Sequence, residues 1–396
     1  MSVSEPIVRI AAKGDGITPS GRHVPLAAPG DVVLPDGSVE AGPHHATPPC
    51  RHFGKCGGCQ LQHVDDVALA SFVRDRVLYA ARSQELEPEI LGETHLSPPR
   101  SRRRASLHAQ PLGAKVAIGF REAGSHRIVD LAECHVLRPE LFALVAPLRR
   151  LLGHQRGRWS VDVELTLADQ GVDCGIRGFA MEGLEATEAA LAFAQDNGLA
   201  RLTIDMGYGA QAVWEPQPLT VTLGRTPVAL PPGAFLQATA DGEAALVAAA
   251  REWLAGADPV ADLFAGLGTF AFALDAPVSA FEAARDAHLA CRAAAARGKL
   301  PVEAHHRDLF RNPLQSNELD RFAGVLLDPP RAGAREQAAR IAESAVERVV
   351  YVSCNPASWA KDARTLADAG FRLAELRPVG QFRWSTHVEL ASLFVR

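Results

Sequence analysis

The chain has 396 residues, of which 41 are Lys or Arg and 46 are Asp or Glu, so its formal net charge is −5. With 47% hydrophobic and 22% charged residues, the composition excludes a disordered, a fibrous or a disulfide-rich secreted chain. This length favours two or three domains, and the mild acidity argues weakly against a nucleic-acid partner.

The sequence shows no sign of export or of membrane insertion. MSVSEPIVRI has no basic flank followed by an apolar core, and the most apolar stretch, residues 263–274, is glycine-broken and too short to span a bilayer. The seven cysteines are an odd number, which argues against a disulfide framework. We therefore expect a cytoplasmic protein without a membrane partner. We also expect a monomer.

Residues 1–45 predict a short β module, because Gly, Pro and Asp interrupt brief apolar runs and no helical period is present. Three cysteines then follow within ten residues, namely Cys50, Cys56 and Cys59, and Cys134 is a plausible distant fourth ligand. Three or four thiolates bind a zinc ion or ligate an iron–sulfur cubane. The spacing alone leaves both possibilities open.

Residues 46–230 predict a central domain of mixed helix and strand, with one helix over residues 64–85. Between residues 100 and 127, seven Lys or Arg stand against one Glu, which is a local net charge of +6. Nucleic-acid contact depends on such local patches rather than on net charge. The arginines that we predict to contact nucleic acid are Arg100, Arg102, Arg103, Arg104 and Arg121.

From about residue 231 strands and helices alternate, which predicts a doubly wound parallel α/β sheet. Ligands of such sheets bind at the carboxyl ends of the strands. The first strand ends in Asp262-Leu-Phe-Ala-Gly-Leu-Gly-Thr, after which we expect a helix, and the next strand ends at Glu282, where an acid usually binds ribose hydroxyls. Because Ala271 replaces the third glycine of the dinucleotide motif, these residues favour S-adenosylmethionine. A tight turn beside a surface acid is the alternative.

Three more motifs are expected at the same edge, two at the ends of strands and one at the start of the last strand. The fourth strand ends in Asp328-Pro-Pro-Arg331, where two prolines stiffen the chain. The fifth ends at Cys354, and the last strand, which we expect to be antiparallel, begins at Glu389. A lone cysteine at a strand end is more often a small buried apolar residue, and the other motifs allow a structural turn and an exposed charge. Their shared position at one edge of the sheet favours a catalytic or ligand-binding role over these structural alternatives.

The chemistry that fits is methylation of uracil at C5. This carbon is a poor nucleophile until a thiolate adds to C6; C5 then attacks a methyl sulfonium, a base removes the C5 proton, and the cysteine leaves. Cys354 is the candidate nucleophile and Glu389 the candidate base. Asp328 and Arg331 would orient the substrate or the cofactor.

Taken in order, the motifs CRHFGKCGGCQLQH, SRRRASLH, GAFLQ, DLFAGLGTF, LLDPPRAGA, YVSCNP and HVE resemble those of the RNA uracil-C5 methyltransferase family. The resemblance runs from about residue 48 to the end, and more weakly over residues 7–35. It implies a class I methyltransferase domain over residues 231–396, a central α+β iron–sulfur domain over residues 46–230, and a shortened RNA-binding barrel of the TRAM type over residues 1–45.

The resemblance also implies ligands and site residues. The metal group is then a [4Fe–4S] cluster on Cys50, Cys56, Cys59 and Cys134. The cofactor is S-adenosylmethionine, with contacts from Gln237, Phe264, Thr269, Glu282, Asp308 and Asp328. The implied substrate is a uridine of 23S ribosomal RNA, with transfer RNA as the second choice.

Two alternatives stay open. One is methylation of another pyrimidine position or another RNA, and the other is a non-catalytic iron–sulfur RNA-binding protein. The presence of both Cys354 and Glu389 favours an enzyme.

Overall fold

The computed structural model describes residues 4–396. The chain begins with short strands, which are β1 (Glu5–Pro6), β2 (Arg9–Ile10), β3 (Gly16–Ile17), β4 (His23–Val24), β5 (Val32–Val33) and β6 (Val39–Glu40). β1, β5 and β6 form one small sheet and β2, β3 and β4 another, around a small core of Ile7, Val24, Ala27 and Val33. The predicted β structure is confirmed over these strands; the first three residues of the predicted module lie outside the described residues.

The next elements pack against the C-terminal part of the chain. They are α1 (Asp66–Arg82), β7 (Ile90–Leu91) and β8 (His95–Leu96). The helix lies within the range predicted from its period. Asp65 caps its N-terminus, because the Asp65 side chain accepts a hydrogen bond from the Ala68 amide at 2.8 Å. Its buried face packs into the core under the C-terminal sheet, so this segment belongs physically to that sheet.

A six-stranded sheet forms the middle of the described chain. Its elements are β9 (Arg104–Leu112), β10 (Lys115–Gly119), α2 (Pro139–Ala143), α3 (Val145–Leu152), β11 (Val161–Ala168), β12 (Gly171–Arg177), α4 (Gly183–Asp196), β13 (Arg201–Asp205) and β14 (Gln211–Trp214), with the strand order β10-β9-β11-β12-β13-β14. Alternation along β11 buries Val161, Val163 and Leu165 under the helices. The intervening residues therefore lie on the opposite, polar face.

A hairpin of β15 (Thr220–Leu223) and β16 (Thr226–Ala229) leads to the C-terminal sheet. The elements that follow are α5 (Ala240–Trp253), β17 (Val260–Leu263), β18 (Val278–Glu282), α6 (Arg285–Gly298), β19 (Val302–His306), α7 (Ser316–Leu319), β20 (Gly324–Leu327), α8 (Arg335–Ala342), β21 (Arg348–Ser353), α9 (Pro356–Asp368), β22 (Arg372–Gly380) and β23 (Glu389–Val395).

The C-terminal sheet is mixed. Its main strand order is β19-β18-β17-β20-β21-β23-β22-β7, and β8 also pairs with β22. β23 is antiparallel to both of its neighbours, whereas the pairings among β17 to β21 are parallel. The predicted doubly wound sheet is thus confirmed as a class I methyltransferase sheet with an antiparallel last strand.

The structure differs from the prediction directly after β17. Residues 266–273 form consecutive turns, not the expected α-helix. Gly266 and Gly268 have φ angles of +57° and +92°, which an α-helix does not allow. The amide of Ala271 donates to the buried carboxylate of Asp262 at 3.1 Å, which holds these turns against the strand end.

Hydrogen bonds, buried around Asp362 and exposed around Arg331, connect the segments that follow β20 and β21. Asp362 on α9 accepts hydrogen bonds from the Tyr351 hydroxyl at 2.6 Å and from the Ala334 amide at 2.7 Å. The Asn355 side-chain amide and the Ser358 hydroxyl donate to the backbone carbonyl of Arg331 at 2.8 and 3.0 Å. These contacts connect the loop after β20 with the start of α9.

Among the helices between residues 4 and 396, none has both the length and the apolar character that crossing a membrane requires.

Candidate active site

A cleft of about 820 Å³ lies between the carboxyl edge of the C-terminal sheet and strand β9 of the central sheet. Cys354, Glu389 and Arg331 line it from the C-terminal side, and Arg102 and Arg104 line it from the central side. The cleft therefore combines the predicted reactive residues with part of the predicted basic stretch.

Cys354 and Glu389 are neighbours because β21 and β23 are antiparallel. Ser353, the last residue of β21, pairs with Leu390, the second residue of β23. The residue after Ser353 and the residue before Leu390 consequently meet at the same edge. Glu389 is only 4% exposed, whereas Cys354 is half-buried at the cleft wall.

The carboxyl groups at this edge resist ionisation. Burial raises the pKa of Glu389 to about 7, although a hydrogen bond from Gln381 opposes the shift. Burial, together with the charge of Glu389, raises the pKa of Asp328 well above its usual value. Near neutral pH, these groups therefore hold protons that ordinary carboxylic acids would lose.

The Cys354 thiol is subject to opposing charges. Burial raises its pKa first, Glu389 and Asp328 raise it further, and Arg331 lowers it. The thiolate is thus easiest to form when the two carboxyl groups are protonated and the Arg331 guanidinium is close.

Two glutamines connect the carboxyl groups. The Gln381 side-chain amide donates to Glu389 Oε2, and also to Gln237 Oε1 at 2.8 Å. Gln237 in turn donates to Asp328 Oδ2 at 3.3 Å. Gln237 was predicted from the sequence, but Gln381 was not. A single glutamine directly after the apolar end of β22 could have indicated it.

Arg331 is held by a histidine that the sequence analysis also missed. Its Nη2 lies 2.6 Å from His387 Nδ1. Partial burial, followed by the charges of Arg331 and Arg102, lowers the pKa of His387, so the imidazole is neutral and accepts the hydrogen bond. The motif His-Val-Glu, in which His387 precedes Glu389 by two residues, was the signal.

Four of the six predicted cofactor residues gather at the ends of β17, β18 and β19, whereas Asp328 follows β20 and Gln237 precedes α5. Phe264 has a φ of +65° and its ring centroid lies 5.3 Å from that of Phe310. Glu282 accepts a hydrogen bond from the Gly266 amide at 2.8 Å, and Asp308 accepts one from the Phe310 amide at 3.0 Å. The turn that holds Gly266 also carries the half-buried Thr269.

This arrangement fits an adenosyl ligand. A pair of aromatic rings offers an apolar surface, Glu282 offers carboxylate oxygens for ribose hydroxyls, and the glycines at 266 and 268 bring the backbone close. Phe310, which is 49% exposed, was not predicted, although an exposed Phe two residues after Asp308 could have indicated it.

The predicted basic residues separate into two groups. Arg102, Arg104 and Arg121 line the cleft. Arg103 instead forms an ion pair with Glu243 at 2.6 Å, and Arg100 is exposed and does not contribute to the lining of the cleft.

Arg102 stands between two aromatic rings. Its guanidinium carbon lies 5.9 Å from the centroid of the Phe120 ring and 5.4 Å from that of Phe382. The aromatic and cationic groups on this wall can stack on bases and contact phosphates.

The four predicted metal ligands, Cys50, Cys56, Cys59 and Cys134, line one small cavity next to the cleft. Burial raises the pKa of each thiol, and backbone amides that donate to Cys50, Cys56 and Cys134 act in the opposite direction. Within residues 4–396, no group of three or more His, Cys, Asp or Glu side chains is arranged to hold a metal ion.

Comparison with known proteins gives consistent results. Residues 302–396 match the family model of tRNA (Uracil-5-)-methyltransferase. An uncharacterized RNA methyltransferase of Zymomonas mobilis is 50% identical over 393 residues, which cover 98% of this chain and 99% of the relative. The 23S rRNA (uracil(1939)-C(5))-methyltransferase RlmD of Enterobacter sp. is 33% identical over 366 residues, covering 89% of this chain and 83% of the relative.

A solved structure shares the whole fold. The tRNA (uracil-54, C5)-methyltransferase of Pyrococcus abyssi, determined in complex with S-adenosyl-L-homocysteine, has a TM-score of 0.76 at 21% identity, with 99% of this chain and 100% of that chain covered. The fold and the cleft define a class I, S-adenosylmethionine-dependent methyltransferase. The chain belongs to the RNA (uracil-5-)-methyltransferase family.

The buried carboxyl of Glu389 predicts a pH-dependent stability. Its pKa rises from 4.5 to about 7 on folding, so between these pH values the folded chain retains a proton that the unfolded chain loses. The folded state loses stability relative to the unfolded state as pH rises through this window, by about 3 kcal/mol in total. Because Gln does not titrate, Glu389→Gln should gain stability over the wild type at pH 8 and gain much less at pH 4.5.

Urea unfolding at both pH values measures this difference. Glu188→Gln, at an exposed position of α4, is the matched control and should show no pH-dependent gain. An equal effect of Glu389→Gln at pH 4.5 and pH 8 would contradict the raised pKa.

Proposed function

We propose that this enzyme transfers a methyl group from S-adenosylmethionine to C5 of a specific uridine in 23S ribosomal RNA. The observation that carries the proposal is the position of Cys354 beside Glu389 on one cleft wall. A thiol and a carboxyl at adjacent positions are the two groups that C5 methylation of uracil requires.

The reaction begins at Cys354. Its thiolate adds to C6 of uracil, and the C5–C6 π electrons move into an enolate at O4. Arg331, held by His387, favours the thiolate by its charge. When bound, S-adenosylmethionine supplies an electrophilic methyl group, which C5 takes with loss of the thioether.

Glu389 completes the turnover. C5 then carries both a hydrogen and the new methyl group. The Glu389 carboxylate accepts the C5 proton, the enolate forms again, and its electrons expel the Cys354 thiolate from C6. Gln381 holds Glu389 in place for this step, and a pKa of about 7 suits a base that works near neutral pH.

S-adenosylmethionine would lie against the residues at the ends of β17, β18 and β19. We assign Phe264, Thr269, Glu282 and Asp308 to its adenosyl part. Gln237 and Asp328, which are hydrogen-bonded to each other, would stand between the cofactor and the uracil.

The RNA would enter along the basic wall formed by Arg102, Arg104 and Arg121. The 33% identity to a 23S rRNA methyltransferase supports ribosomal RNA. Transfer RNA is the second candidate, which the description of the family model favours. Either substrate implies a cytoplasmic enzyme.

We also assign the cavity lined by Cys50, Cys56, Cys59 and Cys134 to a [4Fe–4S] cluster. Four thiols around one space, with backbone amides donating to three of them, are the donor set of a cubane. The cluster would tie the segment of residues 50–59 to the loop before α2, and so support the basic wall.

Glu389→Gln should trap the RNA on the enzyme. Cys354 can still add to C6 and C5 can still be methylated, but the proton on C5 has no base to accept it. We expect a methylated protein–RNA adduct on denaturing gels with labelled cofactor and almost no free methylated RNA. Cys354→Ala should form neither adduct nor product.

The two variants bear on the proposal separately. Methyl transfer by Cys354→Ala would exclude the covalent route. A Glu389→Gln enzyme that turns over like the wild type would remove the role of Glu389.

Anaerobically purified protein should contain about four iron and four sulfide ions per chain, with a broad absorbance near 400 nm. Cys59→Ser should lose most of this absorbance, whereas Cys174→Ser, which alters a buried cysteine of the central sheet, should retain it. Zinc in place of iron in the wild type would contradict the assignment.

A further inference from the structure

The polar face of the central sheet carries a second pocket of about 200 Å³, next to the cleft. We call it the sheet-face pocket; Glu164, Gly175 and Thr203 form its floor, and the segment of residues 231–233 forms part of its rim. Arg104 lines both the cleft and this pocket. The cleft and the pocket are therefore adjacent at Arg104.

The floor of the pocket consists of three residues that lie side by side on neighbouring strands, and the middle one has no side chain. Glu164 on β11 pairs with Gly175 on β12, which pairs with Thr203 on β13. A Cβ atom on Gly175 would lie 3.2 Å from Thr203 Oγ1 and 3.8 Å from Glu164 Cβ. The glycine thus leaves a depression between the Glu164 carboxylate and the Thr203 hydroxyl. The Cα atoms of these two residues are about 10 Å apart, because one strand lies between them.

Most charged groups in the pocket already have partners. Asp173 forms a two-point ion pair with Arg201 at 2.9 and 2.7 Å. His108 pairs with Asp162 at 2.6 Å, and Arg177 lies 3.6 Å from Asp205.

Four groups that line the pocket remain uncommitted in the part of the chain that the structure describes, and one of them is the Thr166 hydroxyl. The Glu164 carboxylate has no ion-pair or hydrogen-bond partner, and neither has the hydroxyl of Thr203, although Thr203 is only 4% exposed. The Arg104 guanidinium has no acidic partner and lies over the Phe235 ring at 5.4 Å.

Glu164, Thr203 and Arg104 are together complementary to one kind of nucleotide. One free carboxylate and one free guanidinium cancel in charge, so the pocket does not favour a simple cation or anion. Arg104 suits a phosphate, Glu164 accepts from N–H donors, and Thr203 donates to an oxygen. Guanine alone among the four bases presents two adjacent donors, N1–H and the 2-amino group, next to the acceptor O6.

We infer that the sheet-face pocket binds an unpaired guanine of the RNA strand whose neighbouring nucleotides occupy the cleft. Glu164 accepts from N1–H and the 2-amino group, Thr203 donates to O6, and Arg104 contacts the phosphate between the two sites. The inference rests on the proposed binding of RNA in the cleft, and it makes Glu164 a specificity residue for the sequence near the target uridine.

Fluorescein-labelled RNA decamers test the inference by anisotropy without any methyl transfer. One probe contains only uridine, one has a single central guanosine, and one has inosine there, which lacks the 2-amino group. The wild type should bind the guanosine probe about tenfold more tightly than the all-uridine probe, because a two-point base contact gives discrimination of this order. The inosine probe should lie between them.

Two variants locate the preference. Glu164→Gln should bind the guanosine and all-uridine probes with affinities that agree within about twofold, and Gly175→Val, which fills the depression, should do the same. Glu188→Gln, at an exposed site on α4, should keep the wild-type preference.

A wild type without a guanosine preference, or a preference that survives in Glu164→Gln, would overturn the inference. Failure of the proposed function gives a different result. In that case the enzyme would not transfer a methyl group, but the preference for the guanosine probe would persist.

Discussion

The antiparallel insertion of β23 between β21 and β22 is the constraint on which the site depends. It brings the first residue of β23 to the edge where the parallel strands end, and so sets Glu389 beside Cys354. The buried network centred on Asp362 then aligns the loop that carries Arg331 with the same edge. Without the reversed strand, the carboxyl and the thiol would lie at opposite ends of the sheet.

Burial gives this edge its chemical character. Asp328, Glu389 and the Cys354 thiol share a poorly solvated space. The charge of Glu389 discourages ionisation of Asp328, and both carboxyl groups discourage ionisation of the Cys354 thiol. The Gln237–Gln381 chain ties the carboxyl groups together, while Arg331 opposes the rise in the thiol pKa. A base that is half-protonated near neutral pH suits a cycle in which one proton is taken and later released.

The sequence was sufficient to predict the alternating strands and helices of the C-terminal sheet, its antiparallel last strand and the motifs at its edge, since short apolar runs and their spacing carry that information. It did not reveal the turns after β17, because the apolar residues there have helical spacing while the glycines adopt positive φ. It also missed β7 and β8, whose two residues each are too few for a pattern. Gln381 and His387 form hydrogen bonds with Gln237 and Arg331, which are distant in sequence, so only the folded chain shows these contacts.

The most direct test of the central claim is the site of covalent attachment to RNA that contains 5-fluorouridine. Fluorine at C5 cannot be removed as a proton, so the cysteine that adds to C6 stays bonded after methyl transfer. Tandem mass spectrometry of the digested complex should find the methylated 5-fluorouridine on the peptide that contains Cys354. Attachment to any other cysteine would contradict the account. So would methylation of the 5-fluorouridine RNA without any covalent attachment to the protein.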